Sequence, residues 1–343
     1  MHYLAQLREI TLKGTGLSLL ELLERCENQN CGDPRDKVYS LLGVAKDASR
    51  LGIFPDYRGK TVEGVYIDAT AKILKNSTHL DVLHNVGRKG SGLRLPSWVP
   101  DWSPSRLESP LTLLFETDKS ASGAHPFCAG GPITSRPEFN AENTRLTLSA
   151  IFIDVISYNS GVIDAKVAIP FADGSEGWLE DQLAKVKLLG RYGTEEGAVN
   201  AFWRTLVTNL THDRCEVTPD YQRFFEAWAS TGFPDFDVDM GSLGADANAM
   251  VAPFSKAVCY GVDQRSLSIT KDGYLCLTPE HTKEGDQVVI LEGRRTPFVV
   301  RQQQRQEEEY VLLGEAYAHE LMKEEAIDII KQLRGGLRRI TLV

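Results

Sequence analysis

The sequence predicts an α+β protein: a helical amino-terminal part, a central group of helices, and a small antiparallel β-meander or barrel towards the carboxyl end. Three observations carry this expectation. Apolar residues recur at helical spacing through the first hundred residues, and they do so again between about 178 and 230. The last eighty residues instead break into short apolar or alternating segments separated by turn residues. At 343 residues, 42% of them apolar and 25% charged, the chain can bury a substantial core.

The elements follow in order. In GLSLLELLERC, Ser18 followed by Glu21 forms a capping box, whose hydroxyl and carboxylate satisfy each other's unpaired backbone N–H groups, and Leu19, Leu22 and Leu23 supply the buried stripe. In DPRDKVYSLLGVA, residues 33–45, Asp33 suits an N-cap and Pro34 the first helical position. Asp36 there suits the positive end of the helix dipole and Gly43 the stop, while Val38, Leu41 and Leu42 face inward. TVEGVYIDATAKILK aligns Val62, Val65, Tyr66, Ala69 and Ile73 on one helical face. LRLPSWVPDWSPSRLESP, with four prolines and two tryptophans, reads as an extended segment pinned by its rings.

Residues 116–143 are rich in Gly, Ser, Pro and Thr and read as a loop or linker. TRLTLSAIFIDVIS alternates and then turns apolar on both faces, as a strand entering a core does. A less regular helix near Trp178 to Leu189 precedes two amphipathic ones, AVNAFWRTLVTNL and PDYQRFFEAW, the second with Asp220 as its expected cap. RSLSIT, GYLCLT, DQVVIL, PFVVR and YVLLGEAYA read as the strands of the meander or barrel, and KEEAIDIIKQL as a terminal helix over one open end. The organisation expected is a helical region with a Pro/Trp-rich segment (1–115), the loop (116–143), a mixed region (144–262) and the small barrel with its helix (263–343).

Composition excludes several classes. No apolar run approaches the roughly 18–20 residues that span a bilayer, and the first residues lack the apolar stretch of a signal peptide, so a cytoplasmic protein without a membrane partner is expected. The six cysteines form no C-x-x-C pair and the seven histidines show no paired metal spacing, which argues against a metal; no G-x-G-x-x-G follows a strand, and no cofactor is expected. A net charge of −9 disfavours a nucleic-acid partner.

Three motifs imitate functional ones. GIFPDYRGKT ends like a phosphate loop with six residues where four are needed, and HELMK begins like a zinc-protease helix but ends in lysine. DFDVDMGSLGAD lacks the glycine position and the bidentate glutamate of a calcium loop, and reads as a solvated acidic loop.

Arg35 is the residue that capping leaves over, because a cation is unfavourable at a helix N-terminus. It wants an anionic partner, for which Asp56 and Asp101 are candidates, and a structural ion pair outweighs a ligand-binding role.

The strings DPRDKVYSLLGVA, PDYRGKTVEGVYIDAT, LPSWVPDWS, AFWRTLVTN and GYLCLTPEHTKEGDQVVILEGRRTPFVVR…YVLLGEAYAHELMKEEA, in that order, resemble successive blocks of the fungal heterokaryon-incompatibility (HET) domain proteins. They resemble the region that follows the HET domain. The opening Y-x-x-L-S-Y-x-W-G and the W-I-D-x-x-C-I-N-Q segment of the effector itself are absent, and CENQN at Cys26 to Asn30 only imitates the latter.

The resemblance implies an accessory region acting as an interaction or regulatory module in non-self recognition, with a protein or a small molecule as its partner. The alternative is a recruited small-molecule enzyme, of cyclase or isomerase type, built on a shaped pocket with one or two acid/base groups. For that alternative the candidate catalytic groups are Arg35, Asp56, Tyr57, Asp101, Glu315, Tyr317 and His319, with Trp98 and Trp102 as ligand-binding candidates. Their structural reading is core anchoring: packed tryptophans, and Glu315 and His319 as polar groups at strand ends.

Overall fold

The computed structural model describes residues 16–77, 79–87, 91–103, 111, 127–131, 136–163, 178–230, 245–303, 308–323 and 336–343. Among these, the amino-terminal part holds α1 (Leu19–Arg25), α2 (Asp36–Tyr39), α3 (Ala48–Leu51) and α4 (Val62–Asn76). The capping box forms as the sequence predicts: the Ser18 N–H donates to Glu21 Oε2 at 2.7 Å, and the Glu21 N–H donates to Ser18 Oγ at 3.3 Å. Thr61 caps α4 in the same manner through the Gly64 N–H, and Val65, Tyr66, Ala69 and Ile73 are buried along it.

The helix expected over 33–43 is shorter than capping rules suggest. Asp33 does accept the Arg35 N–H at 3.0 Å, but its carboxylate is engaged chiefly by the Arg35 guanidinium, and regular helix covers only α2. Tight turns carry the chain onward, with the Leu41 and Leu42 N–H groups bonding to the carbonyls of Val38 and Tyr39. Leu41 and Leu42 still pack against the core.

Five strands close into a ring: β2 (Leu146–Ile163), β5 (Gln287–Leu291), β6 (Phe298–Gln302), β7 (Glu309–Glu315) and β9 (Arg338–Leu342). β2 pairs with β5 on one side and β9 on the other, and the circuit is antiparallel except for β7 against β9. Closure gives each ring strand a partner on both sides along at least part of its length. Leu146, Leu148, Ala150, Val289, Leu291, Phe298, Val300, Leu312, Ile340 and Leu342 form one core with the amino-terminal helices, Trp98 and Trp102. Ile151, Ile153, Val288 and Ile290 lie in a second cluster, the alternation that a pleated strand imposes.

β2 is long enough to serve two structures. Its far half, from Ile156 to Ile163, pairs with β3 (Arg265–Thr270), which continues to β4 (Leu275–Pro279) and β8 (Tyr317–Ala318) as a side sheet. A two-residue strand β1 (Glu138–Phe139) pairs with the start of β2. The side sheet is covered by α5 (Trp178–Leu188), α6 (Glu195–Leu206), α7 (Gln222–Ser230) and α8 (Ala245–Val262). Leu267, Ile269, Leu275 and Leu277 meet Phe202, Trp203, Phe225, Trp228 and Phe254 in their shared core.

The α+β class and the small barrel are as predicted, but the ring is assembled from different strands. RSLSIT and GYLCLT lie in the side sheet, and the ring is completed by the early strand β2 and by β9, a segment for which the sequence predicts no strand. Asp220 is not a cap either: a 3-10 turn over Pro219–Tyr221 precedes α7, and Thr218 occupies the cap position. The helix α8, with Pro253 inside it, was not anticipated. Most of KEEAIDIIKQL and the aspartates at 235, 237 and 239 lie outside the described residues.

Candidate functional site

Apart from Glu315, the sequence-predicted residues fall in three separate places. At the first, Arg35 finds its anion two residues away rather than at Asp56 or Asp101. Its Nη2 lies 2.7 Å from Asp33 Oδ2 and its Nε 3.0 Å from Asp33 Oδ1, while Nη1 donates to the carbonyls of Tyr57 at 2.8 Å and Lys60 at 3.0 Å. The near partner wins because Asp33 presents both carboxylate oxygens to the guanidinium fork with almost no loop to order. The guanidinium also lies over the Tyr57 ring, 5.1 Å from its centroid.

Tyr57 Oη donates to Asp36, and that bond pushes its phenol up to about 12. Asp56 folds its own turn, accepting the N–H groups of Gly59 at 2.7 Å and Arg58 at 3.1 Å. This corner is a fastening between α2 and the turn before α4.

The second place is a cavity of about 650 Å³ where the Pro/Trp segment crosses β7 and the carboxyl terminus. Asp101 lines it with Leu93, Leu95, Val99, Leu312 and Leu313. Its carboxylate is occupied by the Ser91 hydroxyl and by the Ser103 N–H at 3.0 Å. Trp98 and Trp102 are buried beside the cavity rather than lining it; Trp98 meets Phe139 edge-on, with centroids 5.5 Å apart. Glu315 is buried elsewhere, accepting from the Leu111 N–H and from Thr296 Oγ1.

The third place brings Tyr317 and His319 together with residues that sequence reading did not single out. A cleft of about 320 Å³ opens between the end of α6 and the turn after β8. Phe127, Leu210 and Met322 form its apolar wall, and Asn200, Arg204, Asn209, Glu216 and Lys323 its polar one. Tyr317 Oη and His319 Nδ1 are 3.2 Å apart. Burial pushes the Tyr317 phenol up, while burial and the nearby Arg204 and Arg191 pull the His319 imidazole down to about 4, so both side chains are neutral near pH 7.

Arg204 owes its position to local sequence. Asn200, one helical turn earlier, accepts from Nε at 2.6 Å, and Asn209 just past the helix accepts from Nη1 at 2.6 Å. The guanidinium lies over the indole of Trp203, 4.6 Å from its centroid. The turn that delivers Asn209 runs through Thr208 and Asn209, both in the left-handed region at φ 53° and 57°. A β-branched threonine there carries strain of about 1–3 kcal/mol. Gly261 of α8 permits the close approach behind this turn, since a Cβ there would lie 2.1 Å from the Leu206 carbonyl oxygen. The available signal was the Asn200–Arg204 pair at i, i+4 beside the apolar stripe of α6.

Residues 195–332 match the family model described as the Het-6 beta-barrel domain. Heterokaryon incompatibility protein 6, OR allele, of Neurospora crassa is 25% identical over 353 aligned residues, covering 86% of this chain and 49% of the relative. The resemblance to heterokaryon-incompatibility proteins is thereby shown. The chain spans about half the length of that relative, and no solved structure matches it.

The family match takes in α6 to α8 and three of the ring strands, β5 to β7, whereas β2 and β9 lie outside it. All the polar residues of the third cleft fall within the matched span. No described helix is long and apolar enough to cross a membrane, and no cluster of three metal-ligating side chains occurs among the described residues.

Proposed function

We propose that the chain acts in fungal non-self recognition, as an interaction or regulatory module of the heterokaryon-incompatibility type. The observation that carries this reading is the similarity to the Neurospora incompatibility protein along most of the chain, together with the Het-6 barrel match. The architecture is compatible with such a role: a closed ring and a helix-covered side sheet, joined by one long strand, form a stable platform that presents clefts at its edges. The enzyme alternative gains no support from either match.

The test is genetic. The gene is deleted or overexpressed in the source fungus, and growth of heterokaryons with strains of differing incompatibility type is scored. The reading predicts that gene dosage changes heterokaryon growth or viability. Unchanged heterokaryons under both manipulations, together with no partner recovered by cross-linking in the same cells, would overturn it.

A further inference from the structure

We propose that the cleft between α6 and β8 binds a small organic carboxylate through Arg204, with the apolar body of the ligand against Phe127, Leu210 and Met322. The argument begins with charge. Glu216 is paired with Lys323 at 2.7 Å, and Glu320 with Arg191 at 2.9 Å, so each described carboxylate at the cleft already has its cation. Arg204 is different: its hydrogen-bond partners among the described residues are two amide oxygens, which orient the guanidinium without neutralising it. Nη2 carries no hydrogen bond to any described residue.

Among the described residues, one unmatched positive charge sits at a cleft of about 320 Å³, near the lower end of the range for small-molecule sites. The remaining polar groups facing it, Tyr317 and His319, are neutral near pH 7 and can donate or accept hydrogen bonds without a charge of their own. A single excess charge suits a monoanion, and the planar fork of an arginine suits a carboxylate. Pre-organisation is visible in the cost of the turn. Thr208 and Asn209 are held at positive φ, and Asn209 spends its side-chain oxygen on fixing Arg204. An arginine held this way for packing alone would gain more from a carboxylate in place of either asparagine.

This inference goes beyond the non-self recognition reading, and the two fail separately: heterokaryon growth reports the role, and solution binding reports the cleft. The experiment is calorimetric titration of the full chain with benzoate and with indole-3-acetate, each beside its neutral amide. The expected result is saturable one-site binding of at least one carboxylate, about tenfold or more weaker for its amide and for Arg204→Gln. Glu216→Gln removes a negative charge from the rim and releases Lys323 from its pair, and it raises affinity severalfold without depending on how well the arginine variant folds. Absence of saturable binding by both carboxylates at millimolar concentration, equal affinity for acid and amide, or unchanged affinity in Arg204→Gln would overturn the proposal.

Discussion

Two arginines divide this molecule. Arg35 and Arg204 each lie over an aromatic ring, at 5.1 and 4.6 Å, and each donates several hydrogen bonds. They differ in the charge of what they touch. Arg35 has both oxygens of Asp33 and two backbone carbonyls, so its charge and its donors are consumed in fastening α2 to the turn before α4. Arg204 has two amide oxygens and a cleft. An arginine closed by a carboxylate is a structural joint, whereas one braced by neutral acceptors keeps its charge for something else.

The largest effect that would break this comparison comes from the floor beneath Arg204. Trp203 is fully buried among Tyr221, Phe225 and Phe254, and truncation there leaves a cavity that cannot collapse. Trp203→Ala is expected to lower unfolding free energy by about 3–5 kcal/mol in urea denaturation and to abolish carboxylate binding with it.

His319 sharpens the same side. Its imidazole is pulled down to about 4 in the folded protein, against an ordinary value near 6.5. The unfolded chain therefore takes up a proton first as pH falls, and the folded state is penalised across that window. Between pH 6.5 and 4 the wild type is expected to lose on the order of 3 kcal/mol relative to His319→Gln, with no such difference above pH 7. Equal pH dependence in the two proteins would show that His319 is not held neutral.

The Arg35 side is probed by Asp33→Asn. Loss of the paired carboxylate is expected to lower the urea midpoint measurably and to leave carboxylate affinity unchanged, because this corner does not line the cleft. The smallest effect belongs to the cleft rim: Lys323→Ala breaks an exposed pair with Glu216 and is expected to change stability by only about 0.2–1 kcal/mol.

Much of the helical architecture was legible because it is written locally. The Ser18–Glu21 box, the Thr61–Ile73 face and the aromatic stripe of α7 each depend on residues within a few positions of one another. The ring was only half legible. A barrel was predictable from strand spacing, but its membership depends on β2 and β9 meeting across nearly two hundred residues, and short apolar segments carry no record of their distant partners. In RRITL the two arginines come first, and only the alternate residues Ile340 and Leu342 at its end face the core.

Of the site, Tyr317 and His319 were named from the sequence for their chemistry alone. Arg204 was quoted only within a helical stripe, because its significance lies in what it is not paired with. Asp56 and Asp101 were offered to Arg35 by charge logic, and Asp33 took their place because two residues of separation cost less chain entropy than twenty or more.

The most direct test of the distinction between the two arginines is one titration run on two variants side by side, Arg35→Gln and Arg204→Gln, with whichever of benzoate or indole-3-acetate the wild type binds. The account predicts wild-type affinity for Arg35→Gln, provided it is measured below its lowered unfolding midpoint, and loss of binding by about tenfold or more for Arg204→Gln. Equal affinities in the two variants, or a loss confined to Arg35→Gln, would contradict it.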